Sequence, residues 1–285
     1  MLHSSRSNTL VHWTGKDLDE LIRSGELSAD QARTAYVERL ISTLETGLWM
    51  TVREETAAGY DFWMTNYNPS VCLSETVLSR SGEHIARYGR LGFGFSRTFI
   101  LNAGGTPVIY VRNGAPPSLL AVFKALSVRI GNLSYHVRAT ADELAVMLDF
   151  SDLKLLFDRL TSIIKNMSAT SQDDCEYLDE AEWRVVAHEI GGNAPPIAPA
   201  TILHFTGERT APSLPENWQD SESIVSSGRE SPPCFLHFAP DDLSTLILPD
   251  DETRRAAWSD VRLRTWIDKR TKPLQILTCS ECARF

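Results

Sequence analysis

Hydrophobic and polar residues recur with two different periods along this chain of 285 residues, and the first third predicts both strands and helices. The apolar run TLVHWT (9–14) predicts a strand, and the helical spacing after it predicts a helix that stops at Gly25. Ser28 is the expected N-cap of a second helix, with Val37, Leu40 and Leu44 on one face. The next segment, AAGYDFWMTNYNPS (57–70), is irregular and is interpreted as a loop over the core.

The stretch SVCLSETVLSRSGEHIARYGRLGFGFSR (70–97) places a Glu, a His and a Tyr around a short helix, followed by glycines and an apolar strand. SVCLSE predicts the end of a strand, TVLSRSGEHIARYG a helix, and LGFGFS and PVIYVR two further strands, with the turn residues NAGG between them. Two interpretations follow: a site that handles a nucleotide, or only a helix that packs on a sheet.

The second half of the chain predicts more helices and then strands. Residues of about 116–167 have a helical pattern, EWRVVAHEI predicts a strand, and about 191–233 is a polar, Pro- and Ser-rich surface excursion. Strands resume in CFLHFAPDDLSTLILPD, followed by a helix, ETRRAAWSDVRLRTWIDKR, and a strand, PLQILT. We therefore expect one α+β domain over residues 1–285, with helices outside a twisted, mainly antiparallel sheet and a helical insert at about 116–167.

Composition narrows the possible environments and partners. The formal net charge of −9 argues against non-specific binding of duplex nucleic acid, although the arginines of residues 80–112 leave room for a local basic cleft. No apolar run has the length of a membrane helix, the N-terminus has no signal-peptide core, and the five cysteines are odd in number and scattered. A cytoplasmic protein with free thiols and no membrane partner is expected.

Three short motifs suggest chemistry but lack essential parts. HEIGG at His188 lacks the second His of a zinc-protease helix, because residue 192 is Gly. CSEC at Cys279–Cys282 has half the ligands of a zinc knuckle, and GRLGFG (89–94) precedes a strand and lacks the Lys-Ser/Thr of a phosphate loop. No metal site is predicted, and the glycines of GRLGFG are expected to allow close strand packing or a bulge.

Three polar clusters keep both a structural and a functional interpretation. His12 and Thr14 could cap the next helix, or point into a cleft that holds a ribose or an amide. Glu75, His84 and Tyr88 could line an amphipathic helix. Glu182, beside Trp183, could pair with a surface Arg, or stabilise the positive charge that develops on a sugar in an oxocarbenium-like transition state.

Several blocks taken together resemble the AbiGi family of abortive phage-resistance proteins. They are VHWTGKDLDELIRSGEL, VCLSETVLSRSGEHIARYGRLGFGFSRTFILNAGGTPVIYV, YLDEAEWRVV and FAPDDLSTLILPDD, in that order, and the middle block carries most of the likeness. The resemblance implies a bacterial anti-phage role. Members of this family are described as the antitoxin-like half of a two-gene system whose partner looks like a nucleotidyltransferase toxin.

HWTGKDLDELIRSGEL also resembles the opening of DarT-like DNA ADP-ribosyltransferases, which implies an ADP-ribosyltransferase-like fold and NAD as substrate. By position, His12 would contact the NAD ribose, Thr14 the nicotinamide side and Tyr88 the nicotinamide ring. Arg97 would meet the pyrophosphate through bidentate hydrogen bonds. Glu182 would be the catalytic carboxylate.

Two functional hypotheses of different classes follow. In the first, the protein is an anti-phage, ADP-ribosyltransferase-like enzyme with an NAD-binding cleft, in which nucleic acid is a partner only as an acceptor substrate and no metal is needed. In the second, it is a non-catalytic partner that binds and neutralises a nucleotidyltransferase-type toxin, and its acidic charge suits a basic toxin or phage component. A structural role for every polar cluster is the third interpretation.

Overall fold

The described part of the computed structural model contains most of the first quarter of the chain, its central strands and its C-terminal region. It consists of residues 9–51, 55–59, 62–66, 69–75, 78–112, 160–167, 181–187, 202–204 and 234–284, with a few positions between 122 and 157. The insert predicted at about 116–167 and the polar stretch at about 191–233 lie largely outside the described residues. At the end of the insert Ile164–Met167 form a strand, because they pair with Ile109–Arg112, so the helical pattern expected there is wrong.

A seven-stranded sheet organises the molecule. Its strands, in chain order, are β1 (Thr9–Thr14), β5 (Ser70–Ser74), β6 (Leu91–Ser96), β7 (Thr106–Pro107), β10 (Glu182–Val186), β13 (Leu243–Leu248) and β14 (Gln275–Thr278). Their order across the sheet is β14-β13-β6-β1-β5-β10-β7, and every pair is antiparallel except β13 with β14. The predicted mixed α+β class with a mainly antiparallel sheet is therefore confirmed.

Smaller sheets accompany this one. β2 (Leu48–Met50), β11 (Ile202–His204) and β12 (Cys234–Leu236) form a three-stranded antiparallel sheet, and β8 (Ile109–Arg112) pairs in parallel with β9 (Ile164–Met167). β3 (Glu55–Gly59) pairs antiparallel with β4 (Phe62–Asn66). The loop predicted over residues 57–70 is thus wrong, because cross-strand pairing forms an antiparallel ladder from a sequence with no clean alternation.

The helices whose bounds the structure gives fall before β2, between β5 and β7, and at the C-terminus, and residues 125–130 are helical as well. Their bounds are α1 (Lys16–Ser24), α2 (Ala29–Thr46), α3 (Gly82–Tyr88), α4 (Arg97–Asn102), α5 (Asp251–Ser259), α6 (Val261–Ile267) and α7 (Cys279–Cys282). Ser28 is the N-cap of α2, as predicted, and it also forms a capping box with Gln31. The helix expected over 252–270 is interrupted at Asp260, whose side chain accepts a hydrogen bond from the amide of Arg262 and starts a new helix.

The two faces of the seven-stranded sheet have separate cores. We call the face that carries Leu10, Phe93 and Leu73 the main-core face, since these residues pack in the largest apolar cluster with α2 and α4. The opposite face, which carries Val11 and Trp13, packs against α3 and α7 and is called the minor-core face. Successive side chains of a strand point to opposite faces, so the pairing register assigns each residue of the sheet to one of them.

Glycines at the centre of β6 allow neighbouring strands to pack closely on the minor-core face. A Cβ at Gly94 would lie 2.9 Å from the Cβ of Thr245, and one at Gly92 would lie 3.1 Å from the Cβ of Ile247. The register between β6 and β13 shifts between Leu243 and Thr245. The glycines of GRLGFG were expected to allow close strand packing or a bulge, and both occur here.

Candidate functional site

His12 and Thr14 lie on the main-core face near the end of β1. His12 pairs with Phe93 of β6 in the antiparallel ladder, and Thr14 with Leu91, so both side chains share the face of Leu10. Both are half-buried. Nδ1 of His12 lies 2.9 Å from the carbonyl oxygen of Cys72 on the neighbouring strand, which fixes the orientation of the imidazole ring.

Tyr88 lies beside the other face. It ends α3, is half-buried, and packs with the minor core around Val11 and Trp13. Its ring centroid is 6.2 Å from that of the buried His84, one helical turn earlier. The helix of the 70–97 stretch therefore packs on the sheet, and it does so on the face away from His12.

Glu182 opens β10 and is a buried ion-pair centre. Its carboxylate accepts a hydrogen bond of 2.7 Å from Nε of Arg184 and another from Nζ of Lys165 on β9. The side chains of Glu182 and Arg184 are only 6% and 3% exposed. Burial by itself would raise the pKa of Glu182, but the positive charges of Arg184 and Lys165 outweigh it and lower this pKa below its ordinary value.

The register places Glu182 on the face opposite His12. Ser74 of β5 pairs with Val11 on one side and with Glu182 on the other, so these three residues share the minor-core face. His12, one residue after Val11, lies on the main-core face. Two strand spacings, about 10 Å, separate β1 from β10 in addition.

Arg97 belongs to a different cluster on the main-core face, at the start of α4. Its guanidinium forms an ion pair with Glu75 and lies over the indole ring of Trp183, 5.5 Å from the ring centroid. Nε1 of Trp183 donates a hydrogen bond of 2.8 Å to the same carboxylate. The three residues form a compact carboxylate–guanidinium–indole cluster, in which the Glu75 side chain is 8% exposed.

The five predicted site residues are thus distributed over three places. His12 and Thr14 lie together, Arg97 shares their face, and Tyr88 and Glu182 lie on the opposite one. The fully buried Leu10 and Phe95 lie between His12 and Arg97 along the strands. The roles proposed for these residues stay predictions. A ligand that touches both His12 and Glu182 would have to reach both faces of the sheet.

Two interactions were missed from sequence. The first is the contact of Glu75 with Arg97 and Trp183. Glu75 directly follows β5, two residues after Leu73, so strand alternation was the signal that could have placed it on the same face as Leu73. No local pattern pointed to the second, in which Asp19 accepts hydrogen bonds from the Tyr36 hydroxyl at 2.7 Å and from Arg90 Nε at 2.6 Å. This network joins α1 and α2 to the residue that precedes β6.

The C-terminal cysteines belong to the minor core, Cys282 within it and the half-buried Cys279 against it. Burial raises the pKa of the Cys279 thiol to about 12, and Cys279 Sγ donates to the carbonyl oxygen of Arg90 at 3.3 Å. Cys282 is fully buried. Across the described residues there is no group of three or more His, Cys, Asp or Glu that could hold a metal ion.

Comparison with known proteins places part of the chain in a described family. A family model described as "Putative abortive phage resistance protein AbiGi, antitoxin" matches residues 52–200. The match contains Glu75, Tyr88, Arg97 and Glu182, whereas His12 and Thr14 precede it. No curated protein and no solved structure matches the chain.

Proposed function

Because this chain belongs to the AbiGi family, we propose that it acts in abortive phage resistance as an antitoxin, binding and neutralising a toxin of the nucleotidyltransferase type without catalysis of its own. The family description, which names an antitoxin, supports a toxin as partner. The helices of the described residues include none that is long and apolar enough to cross a membrane.

The observation that carries the non-catalytic proposal is the separation of His12 from Glu182. A carboxylate stabilises a ribosyl cation only when it faces the reacting carbon at short range in the site that holds the substrate. Glu182 instead faces Arg184 and Lys165, across the sheet from His12. Its charge is already compensated within the protein, which favours a role in the fold.

The net charge of −9 supports the same proposal. A toxin that handles nucleic acid needs a basic surface, because it binds phosphates. An acidic partner is drawn to such a surface by long-range attraction, which raises the association rate at low salt. We therefore expect binding between this protein and its toxin to weaken as the salt concentration rises.

Co-expression tests the proposal. A toxin gene of the nucleotidyltransferase type is induced in a bacterial host with and without this protein, and growth and co-purification are measured. We expect this protein alone to leave growth unchanged, to restore growth to cells expressing the toxin, and to co-purify with it. His12→Ala is the matched variant, since it removes the predicted NAD contact and should still restore growth.

The opposite result is equally definite. If expression of this protein alone arrests growth, and His12→Ala relieves the arrest, the antitoxin proposal is wrong. Failure to restore growth and to co-purify, with the protein folded, would also contradict it.

NAD-dependent transfer of ADP-ribose is the second candidate, and one observation favours it. Glu75 is a buried carboxylate on the face of His12, and the pairing of Val11 with Ser74 makes Glu75 a diagonal neighbour of His12 on the adjacent strand. In this version Glu75, rather than Glu182, would supply the carboxylate.

The test for this candidate is nicotinamide release from NAD, measured together with the shift in melting temperature. NAD at 100 times its dissociation constant would stabilise the protein by about 2.7 kcal/mol. Release that is lost in Glu75→Gln, with a melting shift that is lost in His12→Ala, would support transfer of ADP-ribose. The absence of both release and shift would leave the antitoxin proposal.

A further inference from the structure

An exposed tryptophan lies on the outer surface of the α5 and α6 helices. Trp258 is 43% exposed and Val261, three residues later, is 63% exposed. The inner surface of the same helices is buried in the main core through Ala257, Leu263 and Trp266. The core does not require a tryptophan at residue 258, and large aromatic side chains are usually buried for most of their area.

The charge around Trp258 has the opposite sign to the rest of the protein. Residues 251–272, counted from the start of α5, contain seven Lys or Arg and four Asp or Glu, a net charge of +3, in a chain whose total is −9. Several of these cations are engaged within the protein. Arg254 pairs with Glu281 and Arg262 with Glu38, while the guanidinium of Arg270 donates to backbone carbonyl oxygens.

Two arginines of α5 and α6 remain. Arg255 and Arg264 are exposed, and neither forms an ion pair with a residue that the structure describes. Arg255 and Trp258 are three residues apart on α5, and Val261 and Arg264 are three apart on α6, so each pair shares one side of its helix. We call these four exposed residues of α5 and α6, Arg255, Trp258, Val261 and Arg264, the Trp258 patch.

We propose that the Trp258 patch binds single-stranded nucleic acid. An exposed indole ring stacks on an unpaired base whatever its sequence, and flanking guanidinium groups bind the phosphates on either side. A duplex hides its base faces and extends its charge over the acidic remainder of the surface, so single strands are preferred. An acidic protein segment would use the arginines but would gain no base stacking from Trp258.

The patch lies outside the residues matched by the family model and is independent of the antitoxin proposal. It gives the protein a contact surface whose charge is opposite to the net charge on which the toxin proposal depends. The two proposals can therefore fail separately.

Fluorescence anisotropy of the full-length protein with a labelled 12-nucleotide oligo-uridine tests the proposal. We expect binding at about 10⁻⁴–10⁻⁶ M, the range of sequence-independent contacts, and weaker binding as salt rises. Trp258→Ala should weaken binding about tenfold or more, and Trp258→Phe should retain most of it, because base stacking needs an aromatic ring. Arg255→Gln and Arg264→Gln should each reduce the slope of affinity against salt.

Matched controls separate a local effect from a loss of fold. Leu101→Ala removes a side chain that is 52% exposed on α4 and should leave binding unchanged, as should Arg23→Gln on α1. Circular dichroism of each variant checks the fold. The proposal would be overturned if the oligo-uridine did not bind up to about 10⁻⁴ M. Equal affinity for a duplex of 12 base pairs, or full binding by Trp258→Ala, would overturn it as well. If polyglutamate binds the patch, and Trp258→Ala weakens the binding of neither polyglutamate nor oligo-uridine, the surface binds an acidic protein instead.

Discussion

Replacing Glu182 by Gln tests whether this residue is a structural ion-pair centre. The substitution keeps the size of the side chain but removes the negative charge between Arg184, 3% exposed, and Lys165, 22% exposed. Removing one partner of a buried ion pair costs about 3–5 kcal/mol, because the other charge stays buried without compensation. The partial exposure of Lys165 favours the lower end of this range, so we expect a loss of about 3 kcal/mol in the free energy of unfolding.

Urea denaturation at pH 7, followed by tryptophan fluorescence and by circular dichroism, measures this loss. A loss of 3 kcal/mol corresponds to a fall of about 6–12 °C in melting temperature for a chain of this size class. A double-mutant cycle with Arg184→Met should give a coupling energy of about 1–3 kcal/mol. The double variant has lost the guanidinium as well as the carboxylate, so Arg184 is no longer buried there without its counter-ion.

The contribution of Glu182 to the free energy of unfolding also depends on pH, and the direction follows from its pKa. Because the pKa of Glu182 is lowered in the folded protein, its contribution to stability is present above the pKa of the unfolded chain, near the ordinary value of 4.5, and is lost as pH falls through the folded value. The difference between wild type and Glu182→Gln should therefore shrink in acid. A loss below about 0.5 kcal/mol at pH 7, with no coupling to Arg184, would refute the structural role.

Three further predictions concern the core, a buried hydroxyl and an exposed carboxylate. Phe93→Ala empties a fully buried position in the main core and should cost about 3–5 kcal/mol, measured by urea unfolding; a cost below about 1 kcal/mol would contradict the packing. Tyr36→Phe deletes the hydroxyl that donates to Asp19 and should cost about 1–2 kcal/mol in the same assay, whereas unchanged stability would show that this bond contributes nothing. Hydrogen bonds from the Thr271 hydroxyl and from the amides of residues 271 and 272 lower the pKa of Asp241 to about 2, so its contribution is present above the ordinary value of 3.8 and is lost as pH falls towards 2. The stability difference between wild type and Asp241→Asn should be constant above about pH 5 and disappear near pH 2, and a difference independent of pH would refute it.

Local patterns predicted the elements that have a strong period or a clear cap. The Ser28 cap of α2 and the apolar runs of β1, β6 and β13 are present where expected. These signals depend on neighbours within one helical turn or one strand, and no distant contact is needed to detect them. The family was likewise predicted, from the order of four short blocks, two of which lie within the matched residues 52–200.

Elements whose formation depends on distant partners were predicted less well. The hairpin of β3 and β4 was interpreted as a loop, and α4 was not expected, although Ser96 caps it through the amide of Phe99. The predicted helix over 76–89 is shorter, since α3 begins at Gly82 after a 3₁₀ turn at Leu78–Arg80. In each case tertiary packing outweighed a weak local preference.

The sequence by itself determined the α+β class, the family and which polar residues occur near the ends of strands. Only the tertiary structure decided which of those residues can meet. His12 and Glu182 both belong to strands of the same sheet, but a shift of one residue in register exchanges the two faces of a strand. That register is set by pairing between β1, β5 and β10, which are far apart in sequence, and it places His12 and Glu182 on opposite sides of the sheet.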